Sequence, residues 1–302
     1  MRILVTGGAG FIGSALSKQL GAAGHDVVVA DLRKNPDQQC VIGDLTDPEV
    51  VERAVEGGVD AICHLAARTS VLESKTDPEG YFRSNVQMTA LLLEACRRQG
   101  GARFVFASTN AVAGNAEKLP LTEEVPLHPL TPYGATKAAS EMLCSAYSAS
   151  FDTPSVAIRL TNVYGPGMTL KDSFVPRLMR AAATGGEVEI YGDGSMRRDY
   201  IFLSDVVDAF VHFATAEPDS PEASFTGPVI IGSGESITVD ELVAAAKKAT
   251  GIDIPAHYGK ARLGEMPAVI VDNSKAQSLG WRAKVTLEAG MAAAWETFSN
   301  PR

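Results

Sequence analysis

The stretch ILVTGGAGFIG, residues 3–13, decides how this chain folds. ILVT reads as a buried strand, and FIGSALSKQL after it has the spacing of a helix. Gly7, Gly10 and Gly13 fall between the two. Glycines at that junction let the backbone turn tightly and bring its N–H groups, with the helix N-terminus, against a pyrophosphate. A glycine triplet also suits any tight strand–helix turn, so the rest of the chain has to supply the context.

Working outward, DVVVA (26–30), DAICHLA (60–66), RFVFAS (103–108) and SVAIRL (155–160) read as further strands. Helical patterns lie near 12–22, 48–57, 80–99 and 133–149, and Asp47–Pro48 reads as an N-cap with proline at the first helical position. Strands apolar on both faces and separated by helices imply a parallel sheet covered on both sides. The fold class is α/β, a doubly wound parallel sheet of Rossmann type.

Beyond residue 164 the rhythm changes. A helix is expected over 173–184, a strand in EVEIY, then a strand and a helix opened by Ser204. ATAEPDSPEASFTG (214–227) reads as a surface loop, and Thr238 with Glu241 as a capping box. Too few strands remain for a second full sheet. Residues 1–164 with about 200–232 are therefore expected to form the dinucleotide-binding domain. Residues 165–199 and 233–302 are expected to form a smaller, interleaved substrate-binding cap.

Composition narrows the function. The 302 residues carry a net charge of −9, which disfavours nucleic acid as a partner because phosphate-backbone binders present basic surfaces. No signal peptide is visible, and no apolar run approaches the about 18 residues of a membrane span. Cys40, Cys63, Cys96 and Cys144 are scattered without metal-ligand spacing, which reads as reduced thiols in a cytoplasmic protein with no metal.

Asp31 closes the second strand, where a carboxylate can accept both ribose hydroxyls of an adenosine and would repel a 2′-phosphate. NAD is favoured over NADP, although nearby Arg33 can host an extra phosphate. Asp44 in GDLTD is placed either to meet the adenine edge or to serve a turn.

In chain order the sequence contains TGGAGFIG, Asp31, GDL, HLAA (64–67), Asn85, FVFAST (104–109), YGATK (133–137), RLTNVYGPG (159–167), GDGSMRRDYI (192–201) and ARLGE (261–265). The ordered set resembles the extended short-chain dehydrogenase/reductase family, in its nucleotide-sugar epimerase/dehydratase branch, and most of all the UDP-glucose/UDP-galactose 4-epimerases. The resemblance implies a catalytic set of Tyr133, Lys137 and Thr109. Tyr133 is the general base toward a sugar hydroxyl; Lys137, one turn on, lowers the phenol's pKa and binds the nicotinamide ribose; Thr109 bonds the reacting oxygen. Ser108 is expected to face the other side of the strand.

The same resemblance places Gly7, Gly10, Phe11, Ile12, Gly13, Asp31, Leu32, Arg33, Asp44, Leu45, Leu65, Ala66, Ala67, Asn85 and Leu160 around NAD. It places Asn162, Val175, Ile190, Tyr191, Arg198 and Arg262 around a nucleotide sugar, with the two arginines clamping the diphosphate. Phe174 and Leu178 are further candidates for the nucleobase wall. His64 is read as structural.

Dehydratases of this family follow the threonine with an Asp-Glu pair; here Asn110 and Ala111 stand there. Without that acid/base pair, hydride removal and return remain, which implies a 4-epimerase acting on a UDP-hexose or UDP-uronic acid. Ala113 replaces a frequent tyrosine, so the pocket wall differs. The alternatives are a 4-ketoreductase or dehydrogenase using the same residues, a dehydratase or decarboxylase, and a non-catalytic NAD-binding protein. A homodimer through the helices at 80–99 and 133–149 is carried over from the family.

Overall fold

β1 (Arg2–Thr6) lies at the middle of the molecule, with Ile3, Leu4 and Val5 all inaccessible to solvent. Ile3 and Val5 face one hydrophobic core and Leu4 the opposite one, because successive strand side chains alternate. The computed structural model describes residues 1–116, 118–169, 171–217, 219–260 and 268–299.

From β1 the chain runs through α1 (Phe11–Ala22), β2 (Asp26–Asp31), β3 (Gln39–Ile42), α2 (Pro48–Ala54) and β4 (Ala61–His64). It continues through α3 (Val71–Thr76), α4 (Pro78–Phe82), α5 (Met88–Arg98), β5 (Arg103–Thr109), α6 (Pro132–Phe151) and β6 (Ser155–Leu160). There follow β7 (Asn162–Tyr164), α7 (Phe174–Thr184), β8 (Val188–Tyr191), β9 (Arg197–Phe202), α8 (Leu203–Ala214), α9 (Pro221–Ser224) and β10 (Gly227–Ile231). The last elements are β11 (Ser236–Thr238), α10 (Val239–Thr250), β12 (Ala256–Gly259), α11 (Ser274–Ser278) and α12 (Leu287–Ser299).

Seven strands form one parallel sheet in the order β10-β6-β5-β4-β1-β2-β3. Strand order reverses between β1 and β4, and such a switch point opens a crevice at the carboxyl ends of the strands. One face is covered by α1 and α8, whose Leu16, Leu20, Val206 and Phe210 share a core. The other is covered by α2, α5 and α6. β7, β9 and β11 form a three-stranded sheet, β8 pairs with β12, and a separate core joins them to α7, α10 and α12.

Asp47 caps α2 through Glu49 N, and Thr238 with Glu241 forms the capping box of α10. Several details differ from the sequence reading. The helix expected over 80–99 is interrupted by a π-helical turn at Arg83–Gln87. There the carbonyl of Asn85 accepts hydrogen bonds from the Thr89 and Ser140 hydroxyls, which compete with the regular ladder.

α8 begins at Leu203 without a side-chain cap, so Ser204 does not open it. β3 and β10 are short edge strands with weak sequence signals; Pro228 is tolerated in β10 because that strand borders the sheet on one side only. Residues 274–281, expected in the cap, pack on the large sheet instead: Ala276 and Trp281 belong to its core, and Trp281 Nε1 donates to the Asp205 carbonyl at 3.2 Å.

Where the chain passes between the two cores, Asp199 is fully buried. Its carboxylate accepts from Thr161 Oγ1 at 2.7 Å, from Ser233 N and Oγ at 2.9 Å each, and from Gly234 N at 2.8 Å. Burial raises its pKa while these four bonds oppose that shift.

Candidate active site

The glycine turn sits at the switch point. Gly7 has φ +68°, and a Cβ there would lie 2.7 Å from Ala66 N, in the segment that follows β4. A Cβ on Gly13 would lie 2.2 Å from the Gly7 carbonyl oxygen. Both positions therefore require glycine, which keeps this stretch of backbone bare beside the N-terminus of α1.

Asp31 Oδ2 accepts from Ala9 N and Oδ1 from Arg33 N, each at 3.0 Å. Each carboxylate oxygen keeps a further lone pair, enough for the two hydroxyls of a ribose. Arg33 is exposed, with Nη2 on the Ala9 carbonyl at 3.3 Å. These features fit a dinucleotide: a cradle that any side chain would fill, a helix N-terminus for the pyrophosphate, and an acceptor at the end of β2.

Other expected cofactor residues are spread around this crevice. Phe11 and Ile12 open α1, half-buried; Leu65, Ala66 and Ala67 follow β4, also half-buried. Leu32 is exposed, and Leu45 is packed into the sheet core instead. Asp44 is exposed, with Oδ1 accepting from Thr46 N at 2.9 Å, so its turn role is occupied. Asn85 pins the segment after β4 to α6, accepting from Arg68 N and donating to Arg68 O and Thr136 Oγ1 at 2.9, 3.0 and 3.0 Å.

His64 bridges Thr6 Oγ1 at 2.7 Å and Thr89 Oγ1 at 3.0 Å. Burial first, and Lys137 second, hold it well below the usual imidazole range, so it is a neutral structural link.

Next to the crevice opens a cleft of about 460 Å³, within the range of small-molecule sites. Thr109, at the end of β5, and Tyr133, in the first turn of α6, both line it, with the Thr109 hydroxyl near enough to the phenol to favour its charged form. Thr131 caps α6 through Gly134 N at 3.2 Å, and Pro132 fixes its first turn. Lys137, one turn further, is buried; its Nζ donates to Ala107 O at 2.8 Å and lies 4.6 Å from the centroid of Phe106.

Ser108 faces away from the cleft and donates to Glu141 Oε1. Glu141 forms a buried ion pair with Arg159, Nη2 to Oε2 at 2.8 Å, with 6% and 4% of the two side chains exposed. Sequence reasoning missed this pair. Its signal was an acid one turn beyond Lys137 and an arginine inside an otherwise apolar strand.

Burial pushes the Tyr133 phenol up to about 12, against the lowering effect of the Thr109 hydrogen bond. The expected depression by Lys137 is not a property of the protein alone, since removing a phenolate from water dominates. Burial brings Lys137 down to about 7, partly opposed by Cys144 and Glu141.

The opposite wall of the cleft comes from the cap. Asn162, Ile190, Tyr191 and Arg198 line it, as does Leu160 at the end of β6. Asn162 Nδ2 donates to Asp199 O at 2.9 Å. Neighbouring Arg197 turns outward to Ser236, which leaves Arg198 as the cleft-side arginine. Val175 is only 2% exposed and belongs to the cap core; Phe174 and Arg177, the latter not anticipated, form the wall on that helix. Leu178 is core as well. Arg262 and the ARLGE motif lie outside the described residues.

Comparison with known proteins agrees with this geometry. The profile of the NAD dependent epimerase/dehydratase family matches residues 3–225. A UDP-glucose 4-epimerase from Mycolicibacterium smegmatis is 35% identical over 316 residues, covering 99% of each chain. The Thermotoga maritima UDP-glucose 4-epimerase, solved with UDP-glucose, superposes with a TM-score of 0.92 at 33% identity, covering 99% of this chain and 98% of that one. MoeE5, solved with UDP-glucuronic acid and NAD, gives a TM-score of 0.88 at 37% identity over 98% of both chains. The glycine cradle at the switch point and the Tyr133–Lys137 helix beside it are thus parts of a fold shared along nearly the whole chain, and the protein belongs to the NAD-dependent epimerase/dehydratase family.

Proposed function

We propose that the protein is an NAD-dependent UDP-sugar 4-epimerase. The observation that carries this reading is the Thr109–Tyr133 hydroxyl pair in the cleft, followed by Asn110 and Ala111 where a dehydrating site would need carboxylates. The sugar's C4 hydroxyl fits between the two hydroxyls. Tyr133 would act as the phenolate, which the Lys137 ammonium and the positive charge of oxidised NAD would favour against the burial that otherwise keeps the phenol protonated; it takes the proton as the carbinol becomes a ketone, and Thr109 holds the oxygen in place. Bound NAD supplies the two-electron acceptor and donor, so the cycle has no net redox change.

After the 4-keto sugar has turned its other face, Tyr133 returns the proton to the same oxygen. Gly7, Gly10, Gly13 and Asp31 would hold the dinucleotide, with Lys137 beneath it. Arg198, Asn162, Ile190 and Tyr191, with Arg262, would hold the UDP moiety, and a planar guanidinium meets phosphate oxygens with paired bonds.

The cytoplasm is the inferred compartment. All four cysteines are free, three of them buried, and no described helix is long and apolar enough to cross a membrane. A homodimer packed through α5 and α6 is inferred from the family resemblance; Phe151, exposed on α6 beside Tyr147 of the same helix and Arg97 of α5, offers an apolar side chain at that seam. The test is incubation with UDP-sugars without added NADH, read by proton NMR. Appearance of the 4-epimer is expected; stoichiometric NADH consumption with a reduced product would establish the ketoreductase instead.

A further inference from the structure

We propose that the catalytic end of the cleft is built for a sugar carrying a carboxylate on a carbon next to the one oxidised, with Asn110 reading that group and Lys75 supplying the counter-charge. The proposal rests on the 4-epimerase reading for which carbon is oxidised, and on the following geometry for the rest. Asn110 directly follows Thr109, on a short helical turn at Asn110–Val112, so its reach is to substituents beside the reacting carbon. It lines the cleft with only 4% of its surface exposed. Its Nδ2 is buried without a hydrogen-bond partner among the described residues. A buried donor left unpaired is costly, and an acceptor brought by the ligand removes that cost.

Lys75 lines the same cleft from α3, which packs against α6, and it forms no ion pair among the described residues. The acids that line the cleft are on the cap: Asp172, paired with Arg180, and Glu189, whose backbone carbonyl accepts from Arg177. On the sheet side of the cleft the described lining residues include a cation, an amide and hydroxyls, with no carboxylate to repel an acidic sugar. A carboxylate offers only acceptors and forms charge-assisted bonds with both Asn110 and Lys75, whereas a hydroxymethyl group brings no charge.

The experiment is calorimetric titration of the NAD-loaded full-length protein with UDP-glucuronic acid and with UDP-glucose. The wild type is expected to bind the uronate more tightly, by about tenfold. Asn110→Ala should lower the uronate-to-glucose affinity ratio roughly 10- to 100-fold. Asn110→Asp should lower it further, by setting like charges together. Lys75→Ala, on an exposed side chain that does not hold the fold, should lower the ratio several-fold and keeps the test valid if the buried-site variants misfold. A wild-type preference for UDP-glucose, or a ratio that none of the three variants moves, overturns the proposal. NMR of the products separates the two claims: no 4-epimer from either sugar sinks the epimerase reading while the affinity ratio still decides this one.

Discussion

The two walls of the cleft are held by different physics. On the sheet wall, Thr109 ends a strand, Tyr133 occupies the first turn of a capped helix, and the glycine turn admits no other residue at Gly7 or Gly13. Behind them the Ser108–Glu141–Arg159 network ties β5, α6 and β6 together. On the cap wall the functional side chains are long and reach out from short strands and a helix edge: Arg198 from β9, Tyr191 from β8, Arg177 from α7. Proton transfer depends on atoms held within a few tenths of an ångström, whereas gripping a diphosphate depends on charge and reach. The wall proposed to perform chemistry is backbone-fixed, and the wall proposed to grip is side-chain-fixed.

Substitutions can break that contrast. Tyr133→Phe removes the proposed base without altering the wall, so turnover should fall about 10²- to 10⁴-fold in steady-state assays while UDP-sugar binding by calorimetry persists. Equal losses of binding and turnover would show that Tyr133 is a structural part of the wall. Glu141→Ala leaves the Arg159 guanidinium buried and unpaired, and urea unfolding should show a loss of about 3–5 kcal/mol.

On the cap side, Arg198→Ala should raise KM for the UDP-sugar about 10- to 100-fold, with kcat falling less, because a charge-assisted grip is lost while the reacting atoms keep their places. A kcat loss larger than the KM change would erase the distinction between the walls. The smallest effect is expected at Thr238→Ala, which removes half of the α10 capping box. Denaturant unfolding should register about 1 kcal/mol, with NAD binding retained.

This division also explains what could be read from the sequence. A glycine that must be glycine, a strand that ends in Thr109 and a helix that begins Thr131–Pro132 are local facts, written in consecutive residues. The parallel sheet followed from them because each buried strand carried its own apolar run. Long-range matters were less visible. Val175 and Phe174 are neighbours on one helix, and only the packing of α7 on the cap core decides that Phe174 meets the cleft. Nothing local distinguished Trp281 as part of the sheet core. The π-helical turn at Asn85 depends on hydroxyls from both its own helix and α6, a coincidence that no periodicity expresses.

Asp199 has a mechanical consequence. One carboxylate is fastened to Thr161 before the chain enters the cap and to Ser233 and Gly234 as it returns, so both strands of the passage are pinned at one point. Sliding the cap across the sheet would tear four bonds from a buried carboxylate with no water to replace them. The two walls of the cleft therefore share one fixed reference point, a rivet where three separate stretches of chain meet on one carboxylate.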